Sequence, residues 1–127
     1  MSRILIVEDN PANMKLAVLL LEGEGYQVLQ AADAEIGLRV AREQVPDLVL
    51  MDVHLPGMDG LAAARLLRGD PVTREIRIVA LTALAMSGDR EKTEDAGCDD
   101  YISKPFHHQE FLRVVDHWLS QASASVR

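Results

Sequence analysis

The sequence has a single cysteine, no basic run and no apolar run long enough to cross a bilayer. Cys98 cannot form an internal disulfide, which fits a reducing compartment. The apolar run at residues 4–7 is too short for a signal peptide, and a membrane helix would need about 20 apolar residues. We therefore expect a cytoplasmic protein without a membrane segment.

The charge balance argues against nucleic acid as a partner. The formal net charge is −7, and no lysine- or arginine-rich stretch is present to neutralise phosphates. Partners are therefore expected to be proteins.

Length and composition favour one globular domain. The chain has 127 residues, of which 48% are hydrophobic and 26% charged. We expect a domain over residues 1–120, a flexible C-terminal tail over 121–127 and no output domain.

Short apolar runs alternate with segments of helical periodicity. Five runs are predicted as strands: residues 4–7, 28–29, 48–51, 76–81 and 101–102. The helices between them carry capping and stop signals, such as Asn10 and Asp33 at starts and Gly25 at an end, while Gly60 opens the third. The fourth helix has few apolar anchors, and the last is expected to end near Leu119. This alternation predicts an α/β doubly wound fold with a five-stranded parallel sheet.

Polar residues follow four of the predicted strands. Glu8 and Asp9 follow the first, Asp52 the third, Thr82 the fourth and Lys104 the fifth. In the strand order 2-1-3-4-5 the first and third strands are neighbours, so the three carboxylates would converge on one pocket. Like charges this close call for a cation, and Mg²⁺ prefers such oxygen ligands.

Lysine and hydroxyl groups facing a metal-bound carboxylate suit phosphoryl transfer. Asp52 would be the nucleophile and form an aspartyl phosphate. Mg²⁺ and Lys104 would neutralise the phosphoryl oxygens, and Thr82 would donate a hydrogen bond to one of them.

Four motifs occur in order along the chain, at residues 4–10, 50–60, 80–83 and 96–106. Together they resemble the receiver domain of two-component response regulators, with its flavodoxin-like (βα)5 fold, over the range from Arg3 to Leu119. Within that family the chain is most similar to single-domain, DivK-like receivers and to the receivers attached to hybrid kinases.

The resemblance implies a phosphorylation switch and not an enzyme acting on separate substrates. Asp52 would accept a phosphoryl group from a histidine kinase or a histidine phosphotransferase. Mg²⁺, or Mn²⁺ as a substitute, would be held by Asp9, Asp52 and the backbone carbonyl of His54, with Glu8 acting through water.

The resemblance also implies how the signal leaves the site. Thr82 would turn toward the phosphoryl group and Tyr101 would swing inward, which would alter the surface recognised by a downstream target. The Lys104–Pro105 bond is expected to be cis, and the protein to be a monomer or a weak homodimer. His54 and Leu84 would flank the path of the hydrolytic water, and the bulky Leu84 predicts a long-lived phosphorylated state.

Other interpretations remain. Each site residue has an ordinary structural role when taken alone, Tyr101 could serve packing only, and Trp118 could anchor the last helix or lie on a partner surface. The adjacent histidines His107 and His108 do not face each other on a helix, which argues against a metal pair.

Several other functions compete with the switch. An aspartyl-phosphate phosphatase would need a second acid where His54 stands. A flavin carrier would not place Glu8 and Asp9 beside a phosphate. A docking module with a degenerate site, or a receiver excised from a hybrid kinase or multidomain regulator, is a further alternative.

Overall fold

The structure, a computed structural model, describes residues 2–82 and 87–125. Strands and helices alternate strictly along the chain, as the sequence predicts. The elements are β1 Arg3–Val7, α1 Pro11–Gly23, β2 Gln27–Ala31, α2 Ala34–Gln44, β3 Leu48–Asp52, α3 Gly60–Gly69, β4 Arg77–Thr82, α4 Ser87–Asp95, β5 Asp100–Ser103 and α5 His108–Ser125. None of the helices in this described part is long and apolar enough to cross a membrane.

The five strands form one parallel sheet in the order β2-β1-β3-β4-β5, which confirms the predicted doubly wound fold. Register places Val7 beside Met51, and Asp52 beside Leu81. The carboxyl ends of β1, β3 and β4 therefore meet at one edge, where the strand order reverses between β1 and β3.

Strand side chains alternate between two buried layers, because successive residues point to opposite faces of a sheet. On one face the strand residues are covered by α2 and α3; they include Leu5, Val7, Val49, Met51 and Ile78. On the other they are covered by α1 and α5; they include Ile4, Ile6, Leu48, Leu50, Val79 and Leu81. All of these side chains are buried, so both faces of the sheet hold the strand ends in place.

Helix starts follow the capping rules and agree with the sequence predictions. Asn10 and Asp33 cap α1 and α2 as expected. The third helix begins at Gly60, as predicted, and its cap is Asp59, whose side chain accepts a hydrogen bond from the backbone N–H of Ala62 at 2.8 Å. The Lys104–Pro105 bond is cis, as expected.

The predicted end of the last helix is wrong. Helix α5 continues past Leu119 to Ser125. Residues 120–125 contain neither glycine nor proline, and alanine favours helix, so no local signal ends the helix at Leu119. The flexibility of residues 121–127 and the domain boundary at 120 stay predictions.

Hydrogen bonds from Arg68, at the end of α3, link this helix to two later segments, a connection that the sequence analysis did not predict. Its guanidinium donates to the carbonyl of Gly97 at 2.7 Å, to Asp99 Oδ2 at 2.6 Å and to the carbonyl of Arg74 at 2.8 Å. Next to this network, burial raises the pKa of Cys98 to about 11. The thiol is therefore protonated at neutral pH, which supports a structural role for this cysteine.

Candidate functional site

The polar residues predicted at the strand ends do come together. Glu8 and Asp9 directly follow β1, Asp52 ends β3, Thr82 ends β4 and Lys104 directly follows β5. One carboxylate oxygen from each of Glu8, Asp9 and Asp52 lies within 4.8 Å of the others. The predicted acidic pocket is therefore present at this edge of the sheet.

Lys104 connects two of these acids. Its Nζ lies 2.7 Å from Glu8 Oε2 and donates to Asp52 Oδ2 at 3.0 Å. Glu8 and Asp52 are each only 2% exposed to solvent. Buried charges need a close partner of opposite sign, and the ammonium supplies it to both at once.

Backbone N–H groups hold the other oxygens of the same two acids. Glu8 Oε1 accepts a hydrogen bond from the N–H of Asn10 at 3.1 Å, and Asp52 Oδ1 accepts one from the N–H of His54 at 3.0 Å. The sequence indicated Asn10 only as a helix cap. Its second role, orienting Glu8, follows from its position two residues after the acid, which is a recurrent local hydrogen-bond spacing.

The charges of the pocket do not cancel, because it holds three carboxylates and one ammonium group. Burial raises the pKa of Glu8, and the neighbouring Asp52 adds to this, while Lys104 and the Asn10 N–H oppose it. Burial lowers the pKa of Lys104, but its contacts with Glu8 and Asp52 outweigh burial and leave that pKa raised. One ammonium faces three carboxylates, so the cluster retains excess negative charge.

The donors present fit a Mg²⁺ ion. The buried Glu8 Oε2 accepts no hydrogen bond of good geometry from any described group, and its contact with Lys104 is an ion pair. Asp9 is exposed and leaves the pocket open on the solvent side. An all-oxygen set with one solvent-facing carboxylate suits a hard cation that keeps part of its water shell.

The two predicted switch residues lie on neighbouring strands. Thr82 is buried and lines a cavity of about 250 Å³ together with His54 and Thr93 of α4. Tyr101 is half-buried in β5, and its N–H donates to Asp100 Oδ1 at 2.8 Å. Their movement on phosphorylation stays a prediction. Leu84, on which the predicted lifetime depends, lies outside the described residues.

Trp118 anchors α5, the first of the two roles considered from sequence. Its indole N–H donates to Asp100 Oδ2 at 2.9 Å, and the Arg77 guanidinium lies 5.7 Å from the ring centre. His107 and His108 are exposed, and the acid cluster found among the described residues includes neither.

Comparison with known proteins identifies the family. The model of the response regulator receiver domain matches residues 4–116. The chain is 41% identical over 119 residues to the polar-differentiation response regulator DivK of Brucella anthropi, a match that covers 94% of this chain and 97% of that protein.

Solved structures agree. The receiver domain of sensor histidine kinase PA1611 from Pseudomonas aeruginosa PAO1, described with magnesium coordinated in its active site cleft, superposes with a TM-score of 0.87 at 41% identity and covers 94% of this chain and 98% of that one. A CheY-like receiver domain protein from Methanospirillum hungatei JF-1 gives a TM-score of 0.90 at 29% identity, covering 98% of both chains. With the fold, the convergent acids and the family model in agreement, this chain belongs to the response regulator receiver domain family of two-component signalling.

Proposed function

We propose that this protein is a phosphorylation-dependent switch in which Asp52 accepts a phosphoryl group from a histidine kinase or histidine phosphotransferase. The observation that carries the proposal is the placement of Asp52, whose carboxylate is buried at a strand end within 3.0 Å of the Lys104 ammonium and beside Glu8 and Asp9. An oxygen of Asp52 attacks phosphorus, the P–N bond of phosphohistidine breaks, and the imidazole nitrogen leaves with the electron pair.

The chain's own groups prepare this step. The N–H of His54 fixes the rotamer of Asp52 by holding Oδ1, so that the carboxylate does not turn away from the pocket. Lys104 places a positive charge beside Oδ2, where the negative charge of the incoming phosphoryl group would gather. Positioning and charge neutralisation are what phosphoryl transfer needs most from a protein.

The acid cluster would hold the metal. Glu8, Asp9 and Asp52 supply carboxylate oxygens, and the family resemblance adds the backbone carbonyl of His54. When bound, Mg²⁺ supplies positive charge that neutralises the oxygens of the phosphoryl group, and Mn²⁺ is the expected substitute.

Output would pass through α4 and β5. Among the side chains described in α4, those of residues 91–95, only Thr93 is buried, so this part of the helix has little packing. A small change at Thr82 and Tyr101 can therefore shift this part of α4. The altered surface would be read by a downstream protein in the cytoplasm, and the protein would act as a monomer or a weak homodimer.

The relatives bear on the type of receiver. The chain is 41% identical to DivK of Brucella anthropi, over 97% of that protein, and equally identical to the receiver domain of sensor histidine kinase PA1611. We propose the DivK-like type, with a receiver from a hybrid kinase as the alternative. The protein's reactions would be limited to Mg²⁺-dependent self-phosphorylation and slow self-dephosphorylation.

The first test is the intact mass of the wild-type protein after incubation with acetyl phosphate, with a phosphorylated histidine phosphotransferase, or with neither. We expect one added phosphoryl group with a donor and Mg²⁺, and none when EDTA removes the metal. A mass increase of equal yield in EDTA would contradict the proposed site. No increase with either donor would contradict the proposed function.

A protein donor also needs a surface next to the site, and α1 offers one. Leu19 is 61% exposed and lines an apolar groove of about 350 Å³ that begins at Pro11, two residues after Asp9. Leu19→Glu is expected to slow transfer from a phosphorylated phosphotransferase about tenfold, because a charge replaces an apolar contact at the docking surface; tenfold corresponds to about 1.4 kcal/mol in binding. Acetyl phosphate should react at the wild-type rate.

Leu66→Glu on α3 is the matched control, because Leu66 is 53% exposed but does not line this groove. Equal slowing by both variants would show that the added charge, and not the α1 surface, is responsible.

A further inference from the structure

Gly60, the first residue of α3, lies against the backbone of the proposed phosphoacceptor. A Cβ at this position would fall 1.9 Å from the carbonyl oxygen of Asp52, and 2.9 Å from the Cα of Val53. Both neighbours are backbone atoms, so they cannot move aside as a flexible side chain can. The requirement for glycine here is one of space, because Gly60 does not have a positive φ.

The same contact lies on one side of a short backbone segment, residues 52–53, that hydrogen bonds hold in place. The N–H of Gly60 donates to the carbonyl of Val53 at 3.1 Å, and the N–H of Val53 donates to the carbonyl of Leu81 in β4 at 2.9 Å. The backbone that carries Asp52 is thus fixed between β4 on one side and the start of α3 on the other.

We infer that Gly60 is a positioning residue for phosphorylation: its missing side chain lets α3 press directly on the backbone of Asp52 and so sets the carboxylate relative to Lys104. The inference rests on the proposed function of Asp52. Any side chain at residue 60 displaces the backbone of Asp52. This displacement changes the orientation of the carboxylate, because Asp52 Oδ1 accepts a hydrogen bond from the N–H of His54.

Two other glycines provide controls. A Cβ at Gly37 would lie 2.7 Å from Cγ2 of Val7, which is a crowded contact with a side chain and not with the backbone of the site. A Cβ at Gly69 would meet nothing within 4 Å. Alanine at the three positions therefore separates displacement of Asp52 from crowding elsewhere and from a simple change of helix propensity.

The test compares phosphorylation by acetyl phosphate at saturating Mg²⁺ with the backbone amide signal of His54 in NMR spectra. We expect Gly60→Ala to react about 100-fold more slowly, since small misplacements of reacting groups cost rates of this order. Its His54 signal should move, while Gly37→Ala and Gly69→Ala should keep both the wild-type rate and the wild-type signal. A Gly60→Ala protein that reacts at the wild-type rate overturns the inference, and so does slowing of equal size in Gly37→Ala.

The two readouts also separate this inference from the proposed function. If no donor phosphorylates the wild type, the proposed function fails, and the His54 signal still reports whether Gly60 positions Asp52. An unmoved signal in Gly60→Ala then overturns the positioning as well.

If Gly60→Ala does not fold, the start of α3 can be loosened without adding an atom. Asp59→Ala removes the cap of α3, and Asp33→Ala removes the cap of α2, where Asp33 Oδ1 accepts from the N–H of Ile36 at 2.8 Å. The two losses are chemically alike. The inference requires slower phosphorylation in Asp59→Ala than in Asp33→Ala, and equal rates would overturn it.

Discussion

Asp52→Asn is expected to gain no phosphoryl group under conditions in which the wild type is fully phosphorylated. The substitution keeps the shape of the side chain and an oxygen that can accept the hydrogen bond from His54, which is 3.0 Å long in the structure. It removes the carboxylate that is the proposed nucleophile, and with it the negative charge beside Lys104. A neutral amide does not form the acyl phosphate, so the loss should be complete. Intact mass spectrometry with acetyl phosphate and Mg²⁺ measures it directly.

Asp9→Asn is the matched control for this result. Asp9 belongs to the same acid cluster but is exposed and has no described contact with Lys104. This variant should react slowly and recover toward the wild-type extent as the Mg²⁺ concentration rises, because it lacks a proposed metal ligand but keeps the proposed nucleophile. If Asp52→Asn acquires the phosphoryl group as fully as the wild type, the chemistry lies at another residue.

The position of the site could be predicted because strand geometry determines it. Apolar runs marked the strands, and parallel strands of this order bring their carboxyl ends to a common edge. In the structure that edge carries all five predicted residues, which are Glu8, Asp9, Asp52, Thr82 and Lys104. The position of the site depends only on where each strand ends and not on side-chain packing.

What each acid does there could not be read from the sequence. Adjacent carboxylates repel, and in the structure Glu8 is buried against Lys104 while Asp9 is exposed. Residues next to each other at a strand end point in different directions, and which of them is buried depends on the neighbouring elements. The ion pair therefore offsets the repulsion at Glu8, and exposure reduces it at Asp9.

Close approaches between backbone segments could not be predicted from the sequence either. Gly60 could be recognised as a helix start, but its contact with the Asp52 carbonyl depends on how α3 packs on β3. The Arg68 network joins α3 to residues 97 and 99, far along the chain. Such contacts are set by tertiary packing and leave no periodic pattern in the sequence.

Lys104→Met tests two roles of the Lys104 ammonium: the proposed neutralisation of charge in the reaction, and the pairing with Glu8 and Asp52 seen in the structure. Without it, phosphorylation should slow about 100-fold or more, as when one preorganised charge-stabilising donor is removed. Methionine keeps much of the length of the side chain and its apolar packing.

The same variant should bind Mg²⁺ more tightly than the wild type. Lys104 Nζ lies 2.7 Å from Glu8 and 3.0 Å from Asp52, so it competes with a cation for both carboxylates. Removing it leaves buried negative charge unpaired, which should destabilise the metal-free protein by about 3 kcal/mol. Mg²⁺ should then raise the melting temperature of Lys104→Met more than that of the wild type.

Isothermal titration calorimetry with Mg²⁺ and mass spectrometry with acetyl phosphate measure the two effects on the same samples. Lys92→Met is the control, because Lys92 is an exposed cation on α4 that lines the cavity beside Thr82 but forms no ion pair with the acids in the described part of the chain. It should leave both quantities unchanged. Weaker Mg²⁺ binding in Lys104→Met would show that the ammonium supports the metal site, and the competition inferred from the two short contacts would be wrong.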